Sequence, residues 1–411
     1  MLSLREAIQS VDDAASAQDS GEEGAHGRLL QAIDSLYRVA ATPTDMVARI
    51  RSQSMPLAIT RIVIENGLLQ AVSETTDKPI TVAELAQKTG IDELLTLRLI
   101  RCIAGLGMVD EVGENTFAAN DMTRYVVKPG PTAALRFQSD MFYPMFSSLV
   151  PYWQKHGTIH QFPEKPGEEY LFQHTFGDTI WGHLQSHPDW KRNFDTFMAY
   201  RAVTVPWYKR YPVTEELIGK NLKDDPQSVL LVDVAGGSGH DIRAFRENYP
   251  TIPGRCILED LPETIQRVDA AALSGARAYF FRRILHDWSD NQCRNLLANT
   301  VAAMDEDYSR ILIEDRILPS TGVPLSTALA DINMMFNSGG VERTESQLHQ
   351  LLDSVNLEIT GVWKLAVDGD EGVVEARVID RGLMVEVSRA YDKNKITDGR
   401  NRADSPFLIQ N

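Results

Sequence analysis

The sequence predicts an α/β fold in which a doubly wound, mostly parallel sheet follows an all-helical region containing a winged-helix module. Three observations predict it. VLLVDV (229–234) is a nearly continuous apolar run that feeds AGGSGH, the pattern of a central parallel strand entering a glycine turn and a helix. From there to residue 388, short apolar runs alternate with amphipathic stretches, as in repeated βαβ units. Upstream, TVAELAQKTG, IDELLTLRLIRCIAGLG and MVDEV–GENTFAA read in succession as helix, helix and small hairpin.

The 411 residues suffice for two domains with full cores. We divide them into a flexible N-terminus (1–27), a helical and winged-helix dimerisation domain (28–130), a helical substrate-chamber region (131–225), the sheet domain (226–388) and a polar tail (389–411). Residues 1–27 are polar and carry the acidic run GEEGAHG, hence the flexible reading. Apolar residues at three-to-four spacing predict one helix from Arg28 to about Arg51 and a second from Ile59 to Val72. Thr81 caps the next helix, with Glu84 in capping-box spacing and Gly90 closing it; the hairpin turns at Gly113-Glu114. A winged helix suggests DNA binding, but residues 81–112 carry three basic and five acidic side chains, the wrong balance for phosphate contacts. A dimerisation or scaffolding role fits better. Asn120 to Tyr211 is helical and rich in aromatic and methionine side chains, interrupted by a PEKPGEE loop at 163–169.

The net charge of −16 argues against a nucleic-acid partner, and no apolar run approaches the ~20 residues that cross a bilayer. The first residues lack the pattern of a secretory or mitochondrial signal, so a cytoplasmic protein is expected. Cys102, Cys256 and Cys293 are scattered without CxxC spacing, so neither a disulfide framework nor a metal site is expected.

The chemistry gathers between residues 229 and 342. Gly236, Gly237 and Gly239 let the backbone approach a ligand, and the helix beginning near His240 aims free N–H groups at it. A dinucleotide fingerprint would place a glycine where Ile242 stands, which weakens a pyrophosphate site. Asp233 at the strand end would repel phosphates and suits an ammonium, such as the amino-acid end of a methionine-derived cofactor. CILEDLPE ends a second strand on Asp260, which can take both ribose hydroxyls; Glu259 competes, since neighbours on a strand face opposite sides. RRILHDW places His286 after a strand, at the carboxyl edge where open α/β sheets bind ligands. Glu314 ends the next strand and Glu342 follows the Gly339-Gly340 break, so both fall on the same rim as partners for a histidine base. The helix STALADINMMFNSGG (326–340), the helix from Thr344 and the strands LEITGVWKLA and GVVEARVI complete the sheet domain, the last two as an antiparallel pair.

VDVAGGSGHD, EDLPETI, ARAYFFRRILHDWSD, SRILIEDRILP and GGVERTESQLHQLL, in this order, resemble the motifs of the plant- and fungal-type S-adenosylmethionine-dependent O-methyltransferases. The resemblance covers about residues 30–380 and implies a homodimer with a Rossmann-like methyltransferase domain and S-adenosylmethionine (SAM) as cofactor. It implies His286 as the base that deprotonates a phenolic or enolic hydroxyl, Asp287 as its neighbour, and Glu314 and Glu342 as the flanking acids. Arg283 joins Asp233, Gly236, Gly237, Gly239 and Asp260 in the cofactor set. Phe142, Phe176, Met198, Trp207 and Asn333 are candidate contacts to a flat aromatic or polyketide-like substrate.

Two departures stand out. Ala235 occupies the first glycine position, which is tolerable where that residue keeps φ < 0. Only DAAALSG separates Val268 from Ala276, where the family runs through a helix, a third strand and an adenine-covering acidic-aromatic pair, so one edge strand is expected to be lacking. The alternatives to methyl transfer are a pericyclase, of the kind known in fungal members, that performs a dehydration or cycloaddition, and a non-catalytic dimeric binding protein.

Overall fold

A computed structural model of the protein describes residues 2–75, 78–156, 169–200, 205–219, 221–237, 239–260, 274–364 and 371–379. The chain opens on helix α1 (Leu4–Asp19), where a flexible segment was expected. Ser3 and Glu6 close its first turn as a capping box, and α1 packs along α2 (Ala25–Ala40). The side chains this hairpin buries are Ala7, Ala14, Ala25 and Ala32, small enough to let two helices approach closely and too small to mark an apolar stripe in the sequence.

The single helix expected over 28–51 is broken, because Pro43 starts α3 (Pro43–Ser52) and Thr42 caps it through Asp45. The stretch expected as one helix over 59–72 also divides, into α4 (Ser54–Glu65) and α5 (Leu68–Ser73), at the left-handed Gly67. The winged-helix module is as expected: β1 (Ile80–Thr81), α6 (Val82–Thr89), α7 (Glu93–Gly105), β2 (Asp110–Gly113) and β3 (Thr116–Ala118), in sheet order β1-β3-β2. Thr81, Glu84 and the left-handed Gly90 play the capping roles assigned to them. The hairpin turns one residue later than expected, at Asn115 with φ 50°, a conformation asparagine tolerates. Leu85, Ile100, Ile103 and Phe117 close this small core.

Six helices follow: α8 (Asp121–Val126), α9 (Pro129–His156), α10 (Leu171–Phe176), α11 (Ile180–Ser186), α12 (Pro188–Tyr200) and α13 (Trp207–Arg210), then a π-helical turn at Val213–Ile218. Residues 163–168 of the expected loop lie outside the described residues, as do 261–273 and the tail 389–411.

The sheet domain runs β4 (Val229–Val234), α14 (His240–Asn248), β5 (Arg255–Glu259), β6 (Ala278–Arg282), a 3₁₀ turn (Leu285–Asp287), α15 (Asp290–Ala303), β7 (Arg310–Leu318), α16 (Leu325–Ser338), β8 (Arg343–Thr344), α17 (Glu345–Asp353), β9 (Leu357–Lys364) and β10 (Glu371–Val378). The strand order is β5-β4-β6-β7-β10-β9, with β8 beside β7; β4 to β7 are parallel and β10 runs antiparallel to both neighbours. Among the described residues β5 is an edge of the sheet. Strand neighbours alternate faces: Val232, Phe281, Ile311 and Ile313 pack toward Leu348 and Leu351, while Leu231, Phe280 and Leu312 pack toward Trp207 and Phe245. In this register the carboxyl ends of β4 and β6 line up with Ile313 and Glu314 of β7 on one rim, and β7 runs on to Leu318.

Candidate active site

His286 sits in the 3₁₀ turn after β6 and is 6% exposed. Its backbone carbonyl accepts a hydrogen bond from Val341 N at 2.9 Å. A Cβ on Gly340 would lie 2.0 Å from that carbonyl, so the close approach of the two segments requires glycine there. The approach brings in Glu342, 2% exposed, whose Oε1 lies 3.0 Å from His286 Nδ1. Glu342 is held in turn by its own amide, which donates to Asp331 at 2.9 Å. The other ring nitrogen, Nε2, has Asp287 Oδ1 at 3.7 Å, beyond hydrogen-bond range. Burial by itself would lower the imidazole pKa, but Asp287, Glu342 and Asp315 outweigh it and push it up to about 9.

Asp315 was not singled out in the sequence; Glu314 was. On β7 the two face opposite sides, and the structure corrects the choice. Glu314, 1% exposed, pairs with Arg210 of α13 and, through Oε2, with Arg282 Nε at 3.0 Å. Asp315 is the residue that joins the histidine cluster, fully buried, with Oδ1 lacking a hydrogen-bond partner. Burial, ahead of the nearby Glu342, pushes its carboxyl up to about 7, against the pull of His286. The strand was legible in the sequence but its parity was not, because both faces of a central strand are buried and each of the two acids is hidden.

At the end of β4, Asp233 is 1% exposed and its Oδ2 has no hydrogen-bond partner. Burial first, then Asp241, raises its carboxyl to about 7, against the pull of His240 and Arg282. A Cβ on Gly236 would lie 2.4 Å from Asp233 Cγ, so the turn closes over this carboxylate only because residue 236 is glycine. Gly237 (φ 58°) donates its amide to Asp260 Oδ2 at 2.7 Å, and Gly239 (φ 73°) starts α14. Ala235 has φ 57°, the left-handed conformation in which its methyl group is strained. Of the two arginines at the end of β6, Arg282, its last residue, faces this turn, 2.6 Å from Asp241, whereas Arg283, just after it, pairs with Glu371 on β10.

The candidate substrate contacts separate. Trp207 is 1% exposed, stacks on Phe245 at 5.1 Å and lies tilted against Phe280 at 4.7 Å; it fills the core behind the sheet instead of lining a chamber. Phe176 belongs to an aromatic cluster with Phe172, His183 and Trp190, against which Phe336 of α16 packs. Phe142 stacks on Phe146 at 5.4 Å on α9, Met198 lies half-buried on α12, and Asn333 of α16 accepts from Asn337 at 3.2 Å.

The histidine, its acids and the glycine turn share one rim, and known proteins carry the same fold. Demethylsterigmatocystin 6-O-methyltransferase of Aspergillus parasiticus is 30% identical over 364 residues, 85% of this chain and 91% of that one. This chain belongs to the O-methyltransferase family. The family's O-methyltransferase domain matches residues 159–356. A solved structure described as a pericyclic reaction enzyme superposes with a TM-score of 0.80 at 25% identity, covering 91% of this chain and 100% of that one. LepI, solved in complex with SAM, gives 0.81 at 25% identity over the same shares. The family fold, an α/β sheet domain behind an N-terminal helical region, is the one expected from the sequence. Among the described residues of this family member, no helix is long and apolar enough to cross a membrane.

Proposed function

We propose that the protein transfers a methyl group from SAM to a hydroxyl of an aromatic or polyketide-type small molecule, with His286 as general base. The observation that carries this reading is the His286–Glu342 pair at 3.0 Å on the carboxyl edge of the sheet. The residues present fit the cofactor's amino-acid end: Asp233 offers a buried carboxylate oxygen with no hydrogen-bond partner, under a glycine turn that a Cβ would block. Asp233, Gly236, Gly237 and Gly239 would hold that end, and Asp260 the ribose. Arg282, which faces the turn, replaces Arg283 in this set. When bound, SAM supplies an electrophilic methyl group on a sulfonium.

This chain's own residues manage the proton. A phenol titrates near ~10, so the acceptor needs a positioned base at neutral pH, worth roughly 10²–10⁴ in rate. Glu342 fixes the tautomer with Nδ1 occupied and stabilises the imidazolium once Nε2 has accepted the proton. The relative named above acts, by its name, on demethylsterigmatocystin. The aromatic cluster around Phe176 supports a flat, apolar acceptor here too. Calorimetry should show SAM binding, and His286→Ala should abolish methyl transfer while leaving that affinity nearly unchanged. Absence of binding at millimolar SAM, or retained turnover by the variant, would overturn the reading.

A pericyclic or dehydrating role is the second reading, favoured by one observation. An imidazole with a pKa of about 9 is protonated at neutral pH and so stands ready as an acid. The two readings differ in sign. A base gains activity as pH rises toward 9, and an acid loses it.

The homodimer belongs to the same proposal. Leu4, Ile8, Leu30, Ile33, Val47 and Ile50 of α1 to α3 are each 45% exposed or more, an apolar surface suited to a second copy of the chain.

A further inference from the structure

We propose that His156, Glu169 and His174 form a binding site for a divalent transition metal of the zinc type, which clamps α10 to the end of α9. Neither the proton chemistry nor the cofactor turn uses these residues. His156 is the last residue of α9, Glu169 stands just before α10, and His174 lies within α10. His156 Nε2 is 3.1 Å and His174 Nδ1 3.2 Å from the same oxygen, Glu169 Oε2, and all three donor atoms lie within 4.8 Å of one another. In a tetrahedral zinc site, metal–ligand bonds of about 2.0–2.2 Å put donors roughly 3.3–3.6 Å apart, so two edges, at 3.1 and 3.2 Å, need to open by only a few tenths of an ångström. Two imidazoles and a carboxylate form a recurrent zinc donor set, with a fourth position left to solvent.

The surroundings support the ligands. The Tyr152 ring lies 4.6 Å from His156 and 5.4 Å from His174, and its hydroxyl donates to the Glu169 carbonyl at 2.9 Å. Such outer contacts orient metal-binding rings. Lys155 Nζ also donates to Glu169 Oε2, at 2.6 Å. This ammonium occupies the place a cation would take, so metal and lysine compete for one oxygen. The ligands are 13 and 5 positions apart in the chain and match no metal motif, which is why the sequence shows no site.

The clamp reaches the rim of the sheet. Tyr170, next to Glu169, presses its ring on Gly339 so closely that a Cβ there would fall 2.0 Å from Tyr170 Cε1. Gly340 follows, against the carbonyl of His286. Metal bound at Glu169 therefore fixes Tyr170 over the segment that carries Glu342, without touching the reacting atoms.

The test is calorimetry of Zn²⁺ into the untagged full chain, with Co²⁺ as a spectroscopic probe of the donor set. Wild-type protein should bind one equivalent and melt at higher temperature in its presence. His156→Gln and His174→Gln should each weaken binding at least ~10-fold, in line with the loss of a ligand. Lys155→Met should tighten it, because the competing ammonium is gone. The histidine variants, both at partly exposed positions, are checked for unchanged melting without metal. If either has lost its fold, the Lys155→Met arm decides alone. No binding at ~1 mM Zn²⁺, equal affinity in the folded histidine variants, or weaker binding by Lys155→Met overturns the site.

Discussion

Glu342 touches Nδ1 of His286 at 3.0 Å, while Asp287 and Asp315 act on the ring from further away, so replacing Glu342 separates contact from field. Glu342→Gln keeps a hydrogen-bonding group in place and removes a charge. The imidazole pKa of about 9 should fall, and the alkaline-rising limb of kcat/KM should move to lower pH by about one unit or more. A pH–rate profile checks this, and an unmoved limb would mean that Asp287 and Asp315 set the value. The same raised pKa links to stability. The folded state holds a proton that the unfolded chain releases near its ordinary value of ~6.5, so this stabilisation is complete below that pH and is lost as pH rises through about 9. Ala235 is a second residue-scale case, strained at φ 57°. The left-handed conformation costs ~1–2 kcal/mol for a residue with a Cβ, offset by ~0.4–1 kcal/mol of extra unfolded-state freedom for glycine. Ala235→Gly should therefore raise the urea midpoint, by about 0.5–1 kcal/mol in stability; a lower midpoint would show that the methyl group packs favourably.

At the scale of the element, β7 carries two buried acids with opposite duties. Glu314 neutralises Arg210 and Arg282 between α13 and β6, and Asp315 faces His286 on the other side. Glu314→Gln leaves Arg282 with Asp241 and Arg210 with the more distant Glu371 as their remaining acids, so denaturant titration should show a loss of stability of up to ~3–5 kcal/mol. Asp315→Asn should instead lower the pKa of His286 and flatten the pH dependence of stability. With its carboxyl raised to about 7, Asp315 makes the fold lose stability as pH climbs from its ordinary value near 4 toward 7. A midpoint for Asp315→Asn that tracks wild type at every pH would contradict this. The sequence supplied β7 and two of the three acids around His286, Asp287 and Glu342, because apolar runs and glycine breaks mark elements well; it ended the strand at Glu314, whereas β7 runs on to Leu318. It could not supply the parity of a strand buried on both faces, nor the metal-type cluster, whose members meet only through the packing of α9 against α10. It also could not tell Arg282 from Arg283, since Arg283 at φ 55° reverses the regular alternation after β6.

Across the whole molecule, the parts read most clearly from sequence are those with strong periodicity or tight caps, such as β4, the Thr81 capping box and the Gly339-Gly340 break. One part misread is α1, whose contact with α2 is made of alanines and leaves Leu4, Ile8, Leu30 and Ile33 exposed. A helical hairpin that buries only alanine on itself stabilises little alone, at roughly 25 cal/mol per Å² of apolar surface removed from water. Its exposed leucines and isoleucines need a further surface, and the proposed homodimer provides one. Light scattering coupled to size exclusion should report a dimer of the 45.9 kDa chain, and the double variant Leu30→Glu, Ile33→Glu should shift it to monomer. Both side chains are about half exposed in the single chain, at 53% and 46%, so the substitution should leave the fold of the sheet domain intact. Retention of the dimer by a folded double variant would place the interface elsewhere, and a monomeric wild type would refute the homodimer itself. If the dimer also completes the substrate chamber, the monomeric variant should bind SAM as wild type does and lose affinity for the acceptor alone. That split would separate the cofactor turn, which one chain builds by itself, from a chamber that needs two.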